Sequence, residues 1–74
     1  MTAIDDMVLT GRVKAALAEA KGVSALDVNV DVKNGVVSLK GNVSRQAHDR
    51  AIEIARHIEG VRGVEDDLTI TSRA

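Results

Sequence analysis

The sequence predicts an α+β fold in which two helices pack on one face of a small mixed three-stranded sheet, in the order α-β-β-α-β. Three observations predict it: apolar residues recur at helical spacing in two segments, they alternate at strand spacing in between and near the end, and an Asn-Gly pair at 34–35 divides the central alternating run. The 74 residues have room for one domain, and we expect that domain to cover residues 1–74.

The first helix is predicted over residues 6–21. At 100° per residue one stripe collects its apolar side chains, which are Leu9, Val13, Ala16, Leu17 and Ala20. Asp5 is the predicted N-cap, and Ile4 and Leu9 would form a hydrophobic staple around it. Gly22 is placed at the C′ position, where glycine commonly ends a helix.

A β-hairpin is predicted from residues 28–33 and 36–41. Asn34 and Gly35 suit a type I′ turn, because both central residues of that turn need a positive φ. A two-residue loop sets Lys33 opposite Val36 and fixes every other pair of the hairpin. The pairs on one face are then apolar, namely Val32 with Val37, Val30 with Leu39 and Val28 with Gly41. Both helices must cover this face, because the other face is polar.

The second helix is predicted to begin after an N-cap at Ser44 and to run to about residue 59, with Gly60 ending it. Its apolar stripe comprises Ala47, Ala51, Ile54, Ala55 and Ile58. Ile52 lies at the edge of this stripe and is expected to be partly exposed.

A short last strand is predicted over residues 67–71, with Leu68 and Ile70 pointing inward and with Val61 and Val64 closing the end of the core. The connection from the second strand to the third should be a right-handed crossover. Asp66 has the same strand parity as Leu68, so its carboxylate must bend outward or find a partner.

Composition excludes several classes of function. The chain has no Cys and therefore no thiolate nucleophile or zinc–thiolate site. It has no aromatic residue on which bases could stack, and its net charge is −1, so we expect no nucleic-acid partner. No apolar run approaches the length of a transmembrane span.

Short sequence motifs in all parts of the chain, taken together, match the pattern of one protein family. They are Asp6, Leu9 and residues 13–17; Val28, Val30, Val32, Asn34, Gly35, Val36, Val37, Leu39, Gly41 and Val43; Ala51, Ile54, Ala55, Ile58, Gly60, Val61, Gly63 and Val64; and Leu68 with Ile70. In this order and spacing the chain resembles the BON domain, a family named for bacterial osmotically inducible and nodulation proteins.

The resemblance implies an αββαβ fold and a non-enzymatic module that binds phospholipid membranes or cell-envelope proteins, in proteins of the osmotic-stress type. It also implies a periplasmic or cell-envelope location. The N-terminal residues lack the pattern of a signal peptide, so the location would be cytoplasmic if Met1 is the native start.

The candidate contact residues for anionic lipid or an envelope protein are Arg45, Ile52, Arg56 and Arg62. Arginines near a charged surface attract anionic headgroups, and Ile52 would add a small apolar foot. Acidic residues interleaved with the arginines also fit ion pairs along a solvated helix. The residues assigned to turns, caps and close backbone approach are Asn34, Gly35, Gly41, Ser44, Gly60 and Gly63.

We expect no catalytic residue, no metal site and no cofactor. His48 and His57 are nine residues apart on one helix, hence on opposite sides of it, and cannot share an ion. The acidic run at 65–67, even with Asp27, lacks the spacing of a calcium loop. Each serine has an explanation as a cap, turn or strand residue.

Two other functions stay open. One is a protein-interaction or self-association module, monomeric or weakly homo-oligomeric, that uses an uncovered edge strand or the apolar side chains of Met7, Val8 and Ile52. The other is binding of a small ion in the cytosol through residues 65–67.

Overall fold

The structure, a computed structural model, describes residues 5–23 and 27–71 of the chain. Its elements are α1 (Asp6–Glu19), β1 (Asn29–Lys33), β2 (Val36–Val43), α2 (Arg45–Arg56) and β3 (Gly63–Ile70). The strands lie in the order β1-β2-β3, with β1 antiparallel and β3 parallel to the central β2. The predicted α+β fold with the element order α-β-β-α-β is therefore confirmed.

The hairpin has the predicted register. Asn34 and Gly35 have φ values of 53° and 82°, as a type I′ turn requires. Lys33 lies opposite Val36, and the ladder continues to the pair of Asn29 with Lys40. The predicted pair of Val28 with Gly41 lies outside this ladder, because β1 begins at Asn29, whereas β2 continues past Gly41.

Gly41 is required where the chain that leads into β1 comes close to the backbone of β2. Its φ is +143°, and a Cβ atom there would lie 1.9 Å from the carbonyl oxygen of Asp27. No side chain can occupy that space, so the backbones of residues 27 and 41 approach each other only because residue 41 is glycine.

The core lies between the sheet and the two helices. Its buried members are all aliphatic, and the list is Leu9, Val13, Leu17, Val28, Val32, Val37, Leu39, Val43, Ala47, Ala51 and Ala55. All three residues from α2 are alanines, whose small side chains let this helix lie close to the sheet.

Helix α1 begins as predicted and ends earlier. The Asp5 carboxylate accepts a hydrogen bond of 2.9 Å from the Met7 N–H. Ala20 is extended and donates its N–H to Leu17, so the helix ends at Glu19 rather than at residue 21. Lys21 therefore occupies the C′ position, and Gly22, with a φ of +84°, lies one residue beyond it rather than at C′ as predicted. The predicted staple involves Ile4, which lies outside the described residues.

Helix α2 has the predicted N-cap, since the Ser44 hydroxyl accepts a hydrogen bond of 3.1 Å from the Ala47 N–H. Its predicted end at Gly60 is wrong. The N–H groups of His57 and Ile58 bond to carbonyls three residues earlier rather than four, as in a 3₁₀ turn. The α-helix therefore ends at Arg56. Gly60, with a φ of +99°, lies in the turn that follows.

Strand β3 is longer than predicted. All eight of its residues pair with β2, so Val64 belongs to the strand rather than preceding it. The sequence 65–67 is acidic and has low strand propensity, but pairing along the whole of β2 overrides that preference. Gly63 begins this strand, with open space where its Cβ would lie, and so is not needed for a turn or cap. The right-handed crossover stays a prediction.

Two glycine substitutions should have opposite effects on stability. Gly41→Ala should lower the free energy of unfolding by more than about 2 kcal/mol, since the new methyl group meets the Asp27 carbonyl. Gly11→Ala should raise it by about 1 kcal/mol, because Gly11 lies exposed in α1 with nothing within 4 Å of a Cβ.

Urea unfolding of both variants measures these changes. A Gly41→Ala variant as stable as the wild type would show that the two backbones are not in close contact.

Candidate functional site

A concavity of about 380 Å³ opens between α2 and β3. Its lining consists of Ile52, Arg56, Val61, Arg62, Gly63, Val64 and Asp66. Three of these side chains, Ile52, Val61 and Val64, are partly buried and pack against the core, and they form an apolar floor. Arg56 and Arg62 are exposed and provide a cationic rim.

The structure brings together three of the four predicted contact residues. Ile52, Arg56 and Arg62 line this concavity, although the last comes from the loop after α2. Arg45, the first residue of α2, is exposed but does not line it. Val61 was predicted only to lie at the end of the core, and the structure adds it to the residues that line the concavity.

Arg62 is held in place by the hairpin turn. Its backbone N–H donates to the Gly35 carbonyl at 2.8 Å. Its aliphatic stem covers the same turn, since a Cβ on Gly35 would lie 2.9 Å from the Arg62 Cδ. Packing of the stem leaves the guanidinium end in solvent, a common arrangement for arginine.

Asp6 binds the two backbone N–H groups of this turn. Its Oδ2 accepts from the Asn34 N–H at 2.8 Å, and its Oδ1 accepts from the Gly35 N–H at 3.0 Å. These charge-assisted bonds join the start of α1 to the hairpin. Asp6 and the turn are far apart in the chain, and no local pattern in the sequence indicates this contact.

Asp66 finds a partner, one of the two outcomes that its strand parity predicted. His48 of α2 places Nε2 at 2.5 Å from Asp66 Oδ2 and Nδ1 at 2.8 Å from Asp49 Oδ1. The other oxygen of Asp66 accepts from the Leu68 N–H at 3.1 Å. The side chains of His48 and Asp66 are 19% and 44% exposed, so solvent screens this pair only in part.

Protonation favours the contacts of His48. A neutral imidazole has one N–H and can donate to one carboxylate, whereas the imidazolium donates to both. Hydrogen bonding to Asp66 and then to Asp49 therefore raises the pKa of His48 above its ordinary 6.5. The same bond from His48 lowers the pKa of Asp66 below 3.8.

The acidic residues 65–67 do not converge on one point. Their side chains alternate across β3: Asp66 is directed toward α2, and Glu65 accepts a 2.9 Å hydrogen bond from the Ser38 hydroxyl on the uncovered face. Within residues 5–23 and 27–71, no group of three or more His, Cys, Asp or Glu side chains could hold a metal ion.

Other surface features are simpler. Arg50 and Glu53 form one of the predicted i,i+3 pairs on α2, at 3.2 Å. His57 contacts the Glu53 carbonyl through Nδ1 at 2.7 Å. Met7 and Val8 on α1 are 80% and 48% exposed. In the part of the chain that the structure describes, no helix is long and apolar enough to cross a bilayer.

The family description that matches this chain is that of the BON domain, over residues 5–72. The chain belongs to the BON domain family. A 68-residue stretch is 37% identical to osmotically-inducible protein Y of Escherichia coli strain K12. The match covers 90% of this chain and 34% of that protein, so the BON domain described here spans about a third of its relative.

Among solved structures, the BON domain is similar to the C-terminal domain of CdsD, described as the structural protein of the type III secretion system of Chlamydia trachomatis. The TM-score is 0.74 at 18% identity, and the match covers 93% of this chain and 35% of that one. At this identity the likeness establishes the fold alone.

The pair of His48 with Asp66 should make the stability of the BON domain depend on pH. The raised pKa of His48 contributes stability that is complete below about pH 6.5 and is lost as the pH rises through the folded pKa. The lowered pKa of Asp66 contributes stability above about pH 3.8, which is lost on further acidification. The pair should therefore stabilise most between these values.

Urea midpoints of the wild type should fall from pH 6 to pH 8, and His48→Gln should flatten that fall. His57→Gln is the matched control, because His57 contacts a carbonyl rather than a carboxylate. Equal slopes for wild type and His48→Gln would contradict the assignment.

Proposed function

We propose that this BON domain is a non-catalytic binding module that contacts anionic phospholipid through α2 and the loop before β3. The observation that carries the proposal is the concavity, with two exposed guanidinium groups above an apolar floor. The proposed contact residues are Arg45, Ile52, Arg56 and Arg62.

The chemistry of this rim suits a phosphate headgroup. Guanidinium groups are planar, stay charged and can offer paired N–H donors to phosphate oxygens. Each contributes about 1 kcal/mol near an anionic membrane surface. The whole chain has a net charge of −1, so attraction must come from this local patch and should weaken as salt screens it.

A place in the cell envelope belongs to the same proposal. It is supported by membership in the BON family and by the similarity to osmotically-inducible protein Y. Fractionation of the producing cells tests it, and recovery of the native protein with the cytoplasmic fraction would contradict it.

Weak self-association is a second candidate, favoured by the exposure of Met7 and Val8 at the start of α1. Ile52, which was grouped with them, instead lines the concavity beside α2. Sedimentation at millimolar concentration tests this candidate. A mass that stays that of one chain, or a dimer that persists in Met7→Ser/Val8→Ser, would exclude association through this patch.

Reversing two charges on the rim should strongly weaken the proposed lipid contact. Arg56→Glu/Arg62→Glu should reduce co-sedimentation with vesicles of anionic phosphatidylglycerol by at least about tenfold, since each arginine contributes about 1 kcal/mol. Wild-type binding should also fall between low and physiological salt and be absent on zwitterionic phosphatidylcholine.

Arg12→Glu/Lys14→Glu on α1 is the matched control, because it changes the net charge equally at exposed positions away from the concavity. Urea unfolding should accompany both variants, since the Arg62 stem also covers Gly35. Equal loss in both pairs of variants would show that net charge rather than this surface governs binding.

A further inference from the structure

In the part of the chain that the structure describes, the outer edge of β3 carries backbone groups without a strand partner. Within the described residues β3 pairs with β2 alone, along all eight of its residues. Thr71 donates its N–H to the Val43 carbonyl of β2. In a parallel ladder, alternate residues of a strand direct their N–H and C=O groups to the same neighbour, so this bond shows which residues of β3 face β2. The odd-numbered residues of β3 therefore bond to β2, and the even-numbered residues direct their N–H and C=O groups outward.

One outward amide is already covered by a side chain. Asp66 Oδ1 accepts from the Leu68 N–H, while Oδ2 is held by His48. Such a carboxylate limits strand addition at an edge. The Leu68 N–H is therefore covered by a side chain. The backbone N–H and C=O groups of Val64 and Asp66, in the first half of the strand, still point outward.

The two sides of this edge differ in chemistry. On the helix side the apolar floor and the two guanidinium groups of the concavity lie beside Val64 and Asp66. On the uncovered face of the sheet Glu65 and Asp67 are exposed. A strand added here would place alternate side chains against these two surfaces.

We propose that the outer edge of β3 docks an extended segment of a partner protein. That segment carries apolar and acidic side chains on the helix side and basic side chains on the side of Glu65 and Asp67. Charge complementarity selects this occupant over a second copy of β3, because two such strands across a two-fold axis would bring their acidic runs together. This docking goes beyond the lipid contact proposed above.

The probe is an acetylated and amidated heptapeptide, Lys-Val-Lys-Val-Lys-Glu-Lys, added to the ¹⁵N-labelled domain. The amide resonances of Val64 and Asp66 should shift. A control peptide has the same composition, but its two Val residues and its Glu are consecutive, so they cannot all lie on one side of a strand. It should bind about tenfold more weakly. Two N-methylated versions, blocked at the Lys amides or at the Val and Glu amides, should differ, because only alternate amides face β3.

Variants separate backbone pairing from side-chain effects. Val64→Pro removes an outward N–H without breaking the ladder to β2, since proline is tolerated at such edge positions. Val64→Ala loses apolar contact but keeps that N–H. We expect Val64→Pro to bind the alternating peptide about tenfold more weakly than Val64→Ala. Spectra of both free variants should confirm that they are folded.

Substitutions of Asp66 provide a second test, in which peptide binding should become tighter. Asp66→Ala uncovers the Leu68 N–H, whereas Asp66→Asn keeps an oxygen over it and removes the same charge. Asp66→Ala should bind about threefold more tightly than Asp66→Asn. Equal binding of the two N-methylated peptides, equal binding of the Val64 variants, or shifts confined to α1 would each overturn the proposal. None of these measurements contains lipid, so failure of vesicle binding leaves them intact.

Discussion

The two-residue turn at Asn34 and Gly35 is the constraint on which the rest of the structure depends. Its positive φ angles set the hairpin register, and that register places the apolar side chains of β1 and β2 on one face. The same turn receives the Asp6 carboxylate on its two N–H groups and the Arg62 N–H on the Gly35 carbonyl. It therefore joins α1, the hairpin and the loop before β3.

The acidic strand β3 shows how the fold turns an unfavourable sequence into a surface. Pairing with the whole of β2 forces residues 65–67 into a strand, so their side chains must alternate between the helix and the uncovered face. Asp66 then lies beside α2, where His48 compensates its charge. Within residues 5–23 and 27–71, the outcome is a strand edge whose Leu68 N–H is covered by Asp66 and whose preceding residues have no strand partner on that side.

The candidate site was predictable in part. Ile52 and Arg56 were both candidate contact residues, and their spacing of one turn on α2 places them close together. Arg62 joins them only because its loop is anchored on a turn formed much earlier in the chain. Arg45 was grouped with them by charge, but the position of α2 against β3 leaves it outside the concavity. The sequence does not indicate that Val61 lines this concavity, because a valine just before a strand is equally compatible with a place in the core.

The sequence by itself determined the order of elements, the hairpin register, the N-caps Asp5 and Ser44 and the apolar stripes, because each depends on turn chemistry or on a short-range period. Only the tertiary structure decided the length of β3, the ends of both helices, the close approach of residues 27 and 41, and the contacts of Asp6 and Asp66. These depend on which segments meet across long sequence separations. No local pattern encodes such meetings, even where strand parity indicates that a partner is needed.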